Sequence, residues 1–152
     1  MLRQQLNDAL KAAMLGKDAR TVSTVRLILA ALKDRDIAAR PKGVADGIGE
    51  DEIRQMLQSM IKQRRESITM YEQGGRPELA KQEAEEIAII ERFLPRQMDE
   101  AEIAAAVKAA IAATGAGGIK DMGKVMAALK EGHAGSMDFA KAGAVVKKEL
   151  GG

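Results

Sequence analysis

The sequence predicts an all-α protein: an N-terminal bundle of about four helices over residues 1–95, then a smaller three-helix subdomain over residues 96–152. Three observations predict it. Apolar residues recur at three- and four-residue steps along most of the chain, the spacing of one helical face. No segment shows the two-residue alternation of a half-buried strand, and no long-period repeat is present. Ala, Leu, Ile, Met, Glu, Lys, Gln and Arg dominate the composition, and most of these are strong helix formers.

The elements follow in order. A first helix reads from about Leu2 to Leu15, with Leu2, Leu6, Ala9, Leu10, Ala13 and Met14 on one stripe, and is interrupted at Gly16 and Asp18. A second runs from about Arg20 to Ala39 on Val22, Val25, Leu29 and Leu32. Residues 40–49 are rich in breakers and read as a loop. Glu50 or Asp51 opens a third helix, where carboxylates suit the helix dipole, and Ile53, Leu57, Met60, Ile61, Ile68 and Tyr71 form its apolar face. Gly74-Gly75 ends it. Pro77 fits the first turn of a fourth helix carrying Leu79, Ile87, Ile90 and Leu94, which Pro95 stops. Beyond Pro95, Asp99 caps a helix through Ile103, Val107, Ala110 and Ile111, broken by Gly115, Gly117 and Gly118. Asp121 is read as the cap of a short helix with Met122, Val125, Met126 and Leu129. Asp138 opens the last, with Phe139, Ala142, Val145, Val146 and Leu150.

Composition narrows the function classes. Hydrophobic residues at 46% supply a core, but aromatics are only 2%, so aliphatic chains and nine methionines must fill it. With no cysteine there are no disulfides, thiolate metal sites or cysteine nucleophile, and one histidine, His133, makes a histidine metal site unexpected. No metal or cofactor is expected. Met1–Leu6 lacks the apolar stretch of a signal peptide, and no apolar run approaches the roughly 20 residues of a membrane span. These features predict a soluble, cytoplasmic protein with no membrane partner. Net charge is +2. Residues 1–95 hold 16 Lys/Arg against 15 Asp/Glu, and residues 96–152 hold 8 against 7, so neither half can grip a duplex indiscriminately.

No active site stands out. Glu83, Glu85 and Glu86 read as a solvated helix face, and His133 reads as a turn residue. Ser23, Ser59, Ser67 and Ser136 sit in no nucleophile elbow, and no phosphate-binding loop of the Gly-x-x-x-x-Gly-Lys-Ser/Thr type is present. Two basic features remain. Arg54, Gln58, Lys62, Arg65 and Thr69 share a face of the third helix, with Arg64 beside the apolar seam. Guanidinium forks there could hold phosphates, although a solvated face whose Arg64 stem covers the core is the favoured reading. The second is the stretch from Gly117 to Met126. A glycine-rich turn entering a helix beside Lys120 and Lys124 can attract an anion, and Gly123 can admit either a ligand or another helix.

At this stretch the chain resembles a known family. Ile119-Lys120-Asp121-Met122-Gly123-Lys124-Val125-Met126 is similar to a signature of the GatB/YqeY domain family. So are Ile61-Lys62-Gln63-Arg64-Arg65-Glu66-Ser67, Phe93-Leu94-Pro95-Arg96-Gln97-Met98 and Val145-Val146-Lys147-Lys148-Glu149-Leu150. The motifs occur in family order over essentially the whole chain, and the expectation is that it resembles the free-standing YqeY-like form, since no amidotransferase core precedes them. The resemblance implies two helical subdomains meeting near Leu94-Pro95. It also implies a relation to the appendage of the amidotransferase B subunit that contacts tRNA. The glutamine-dependent carbon–nitrogen ligase activity attached to the family belongs to a catalytic core elsewhere. Where relatives often carry a Gly-Lys/Arg-x-Asp-Gly-like turn, this chain has Gly132-His133-Ala134-Gly135-Ser136-Met137-Asp138, with His133 weakening the charge.

The expected function is therefore a non-catalytic module binding tRNA or another structured RNA. Lys120, Gly123, Lys124, Lys141, Lys147 and Lys148 are its principal candidates, and Lys62, Arg64, Arg65 and His133 are secondary ones. With few aromatics, recognition would rest on backbone and shape. The rival expectation is a docking module for a tRNA synthetase, an amidotransferase subunit or another translation-linked partner, suggested by the methionines Met56, Met60, Met122 and Met126.

Overall fold

A computed structural model describes residues 1–151 and shows seven α-helices and no strand among them: α1 (Leu2–Leu15), α2 (Ala19–Ala39), α3 (Glu50–Gln73), α4 (Pro77–Glu91), α5 (Glu100–Thr114), α6 (Met122–His133) and α7 (Phe139–Gly151). The protein is all-α. Its chain clusters into two compact units, Met1–Leu94 and Pro95 onward.

The first unit is built on α1–α4. Leu6, Val25, Ile28, Ile53, Met56, Leu57 and Ile90 are fully enclosed. Each such side chain contributes about 1.5–3 kcal/mol by leaving water. The α2 stripe differs from expectation. Val25 and Leu32 are buried, but Thr21, Thr24 and Ile28 complete the inner face, and Val22 and Leu29 are only half-buried on its flank. Thr21 can be enclosed there because Asp18, the N-cap of α2, accepts from Thr21 Oγ1 at 2.7 Å and from Thr21 N at 3.2 Å, whereas the Thr24 hydroxyl is buried without a hydrogen-bond partner.

The breaker-rich segment between α2 and α3 is not a loose loop. A 3₁₀ turn spans Arg40–Lys42, and Ile48 is buried in the core. Asp36 Oδ1 accepts from Ile48 N at 2.9 Å, while Arg3 Nη2 donates to Ile48 O at 3.0 Å. Arg3 and Asp36 are joined by two 2.7 Å bonds, so one fork ties α1, α2 and the segment together. Gly47 has φ +94, and a Cβ there would meet the Arg3 guanidinium at 2.5 Å, so both conformation and space require glycine.

α4 ends at Glu91, three residues before the expected Leu94. The residue ahead of Pro95 is pushed out of the helical region, and Phe93 N and Leu94 N close tight turns onto Ile90 O and Glu91 O at 3.1 Å each.

The second unit packs α5, α6 and α7 around Ile103, Val107, Val125, Leu129, Met137, Ala142 and Val146. Asp99 and Glu102 form a reciprocal capping box at the start of α5. Asp138 accepts from Ala140 N at 3.0 Å and opens α7. Asp121 departs from its expected role. It makes no side-chain cap on α6, because the 3₁₀ turn Ile119–Asp121 runs straight into that helix and its carboxylate turns back to Gly117 N at 3.0 Å.

Among the described residues no single helix is long and apolar enough to cross a membrane.

Candidate nucleic-acid interface

The expected cations occupy the turn before α6, the start of α6, and α7. Lys120 lies in the 3₁₀ turn, and Lys124 lies in the first turn of α6; both are exposed. The glycine turn is a weaker anion cradle than its composition implied. Gly117 N is taken by the Asp121 carboxylate and Asp121 N by Gly118 O at 2.9 Å, so an acceptor sits where an incoming phosphate would need donors. Gly123 faces open space: a Cβ there would meet nothing within 4 Å, which removes helix packing as the reason for a glycine at this place. Gly143 on α7 faces the Cε atoms of Met122 and Met126, which a Cβ there would meet at ordinary contact distances of 3.8 Å and 3.9 Å.

On α7 the inner face is Ala142 and Val146. Lys141 and Lys148, seven residues apart, return to nearly the same line after two turns, and Lys147 stands about 100° from Lys148. All three are exposed, and the positions between them on the outer face are Ala140 and Ala144, also exposed. Exposed carboxylates flank that strip: Glu149 stands about 100° from Lys148 on the side away from Lys147, and Asp138, at the start of α7, accepts from Lys141 N at 3.3 Å. Lys124 belongs to a different helix, so the lysines form no single row.

Arginine and lysine have different roles here. Every ion pair among the described residues uses an arginine or the N-terminal amine as its cation. The guanidinium fork suits such fixed pairs, whereas the lysines remain as unpaired point charges toward solvent.

The four secondary candidates fare differently. Arg64 is largely enclosed, donating from Nε to Glu86 at 2.9 Å and from Nη1 to Met60 O at 3.2 Å, so it braces α3 against α4 and has no free fork for phosphate. Arg65 is exposed but pairs with Glu91 at 3.6 Å. Lys62 is exposed and makes no ion pair with a described carboxylate. His133 is half-buried at the end of α6, where its carbonyl accepts from Ser136 N at 3.1 Å, Ser136 Oγ at 3.1 Å and Met137 N at 3.3 Å. Its turn is held from the far end as well: Gln97 Nε2 donates to Gly135 O at 2.7 Å, and Met98 N to Ser136 O at 2.8 Å. The altered Gly132–Asp138 segment is thus a structural closure, with Met137 as its buried plug.

The methionine faces also resolve differently from expectation. Met56 and Met60 are buried in the first core, and Met122 and Met126 pack against the second. None of the four offers an open docking face. The hydroxyls of Ser23, Ser67 and Ser136 donate to backbone carbonyls of Arg20, Gln63 and His133, so these serines show no nucleophile–base pairing. Among the described residues no three His, Cys, Asp or Glu side chains converge to hold a metal ion.

The family model for YqeY-like proteins matches residues 3–150 of this chain. The chain belongs to the YqeY-like family.

Curated relatives of this YqeY-like protein include three called altered inheritance of mitochondria protein 41, mitochondrial. The protein from Kluyveromyces lactis is 32% identical over 88 residues, covering 58% of this chain and 45% of the relative. The one from Lachancea thermotolerans is 33% identical over 104 residues, 67% of this chain and 54% of the relative. That from Meyerozyma guilliermondii is 38% identical over 87 residues, 56% and 42% respectively. The chain spans about half the length of the curated relatives it matches. Their mitochondrial names overturn the cytoplasmic placement expected from sequence. The absence of cysteine and of an apolar N-terminal stretch cannot separate one reducing compartment from another.

Proposed function

We propose that this YqeY-like protein is a non-catalytic binding module for structured RNA of the tRNA class, with the outer face of α7 as its principal contact. The observation that carries the reading is that Lys141, Lys147 and Lys148 are exposed, unpaired with any described carboxylate, and separated on their strip only by alanines. Such a strip offers ammonium groups to phosphates without bulky side chains to hold the backbone off, and the acids at its flank, Asp138 and Glu149, make no ion pair with it. Lys120 and Lys124 take a supporting place, with Gly123 leaving room beside them. Phe93, Phe139 and Tyr71 are all half-buried. Base stacking therefore contributes little, and recognition falls to backbone and shape.

Filter binding of total tRNA across a potassium chloride series tests this. Replacing Lys141, Lys147 and Lys148 together by Ala should weaken binding and reduce the slope of log K against log salt by about two. The Lys120/Lys124 double Ala variant should act in the same direction but less. An unaltered slope in the triple variant overturns the proposal. The reading gives the chain alone no part in glutamine-dependent carbon–nitrogen bond formation.

A further inference from the structure

An open apolar feature lies in the first unit, away from these lysines in sequence. Between the end of α1 and the first half of α2 is an open cleft of about 510 Å³, lined by Met14, Lys17, Ala19, Val22, Ser23 and Arg26. Its floor is apolar. Met14 is 52% exposed, and Val22, a residue whose spacing predicted core, is left on the flank by the rotated inner face of α2. Its rim is cationic. Lys17 and Arg26 are exposed and make no ion pair with a described carboxylate, and Lys33, seven residues after Arg26, continues that line two turns along α2.

Asp18 keeps its negative charge beside Lys17, but its carboxylate turns to Thr21 and pairs with neither Lys17 nor Arg26, so the rim stays net cationic; Asp36 is paired with Arg3 and Ile48 N. Lys17 is moreover the one non-glycine residue among those described with positive φ, at 56°. A left-handed backbone costs a side-chain-bearing residue about 1–2 kcal/mol, and strain of this kind gathers at sites that need a side chain in a set place. Glycine would end the helix more cheaply, but it would leave the cleft without its ammonium group.

We infer that this cleft docks an acidic amphipathic helix of a partner protein. One apolar side chain of that helix enters between Met14 and Val22, and its carboxylates meet Lys17 and Arg26. Charge complementarity chooses the occupant: a basic rim around a side-chain-sized apolar recess suits a helix with apolar anchors and glutamates. A nucleic acid has phosphates for the rim but no aliphatic group for the recess. A bilayer favours apolar groups that protrude, not a floor set between two helices.

The test uses the full chain and fluorescence anisotropy. The probes are a fluorescein-labelled helical peptide with leucines on one face and glutamates on the other, its twin with lysines for the glutamates, and phosphatidylglycerol vesicles. The glutamate peptide should bind about tenfold or more tightly than the twin. Met14→Glu, at an exposed position, should weaken it about fivefold or more while leaving the thermal melt in place. Lys17→Glu with Arg26→Glu should reverse the preference between peptides. Equal binding of the two peptides overturns the inference, as does an indifferent Met14→Glu variant. Capture by vesicles that the glutamate peptide fails to displace assigns the face to membranes and overturns it equally.

Discussion

Lys17, and not the neighbouring Gly16, takes the left-handed position that ends α1: Gly16 stays right-handed at φ −82°, while Lys17 stands at φ 56°. The surrounding bonds are those of a Schellman ending, with Asp18 N donating to Ala13 O at 2.9 Å and Lys17 N to Met14 O at 3.3 Å. Glycine is the usual occupant of that position. Lys17→Gly should therefore raise unfolding stability by about 1 kcal/mol, the relief of strain being partly offset by the entropy of a more flexible unfolded chain. Urea titration checks it, with a higher midpoint at unchanged slope. The same variant should bind the glutamate peptide more weakly, so gain in stability and loss of docking would come from one substitution.

The fork between Arg3 and Asp36 makes a second expectation. The hydrogen bond from Arg3 is the largest influence lowering the Asp36 carboxyl pKa below its usual value, with Ile48 N adding to it against the opposing effect of burial. A carboxylate depressed in the folded state stabilises above its unfolded pKa, and that contribution is lost as pH falls through the folded value. Acid should thus loosen the tie on the segment before α3. Asp36→Asn should cost about 2 kcal/mol at pH 7, the scale of hydrogen bonds to a charged partner. The difference from the parent should shrink progressively below about pH 4. Denaturant midpoints at pH 7 and pH 3 measure both, and a constant difference between them excludes the fork as the cause.

Much of the helical plan was legible because periodicity, proline and capping residues act locally. The stripes of α1, α3 and α5, the Asp99 and Asp138 caps, and the stop near Pro95 all depend on neighbours within a turn or two. What the sequence hid were long-range partners. Ile48 stands alone between two glycines, with no period to mark it, yet Arg3 and Asp36, 45 and 12 residues away, fix it in the core. Asp121 has the look of a cap, but a 3₁₀ turn already supplies the order a cap would bring. Thr21 and Thr24 on the inner face of α2 broke the apolar pattern and shifted the expected stripe onto Val22 and Leu29, hiding the α1–α2 cleft. Of the candidate cations, exposure of the lysines followed from helical phase. The engagement of Arg64 required knowing that Glu86, 22 residues on, lies opposite.

That engagement supports the last expectation. Glu83 and Glu86 both approach Arg64, but unequally: Glu86 lies 2.9 Å from Nε and Glu83 lies 4.0 Å away. Burial raises the Glu83 carboxyl pKa first, repulsion from Glu86 raises it further, and Arg64 only partly opposes them. A carboxyl raised in the folded state makes the native form less stable once ionised, and protonation as pH falls through that raised value removes the cost. Glu83→Gln, which imitates the protonated acid, should therefore stabilise the protein at pH 7, and the gain should fade as pH falls into the acidic range. Glu86→Gln should do the opposite at pH 7, because it takes away the close partner of a largely enclosed guanidinium. Thermal melts of the two variants at pH 7 and pH 4 separate these outcomes; equal effects from both would mean that Arg64 is shared evenly and that the 2.9 Å bond does not lead.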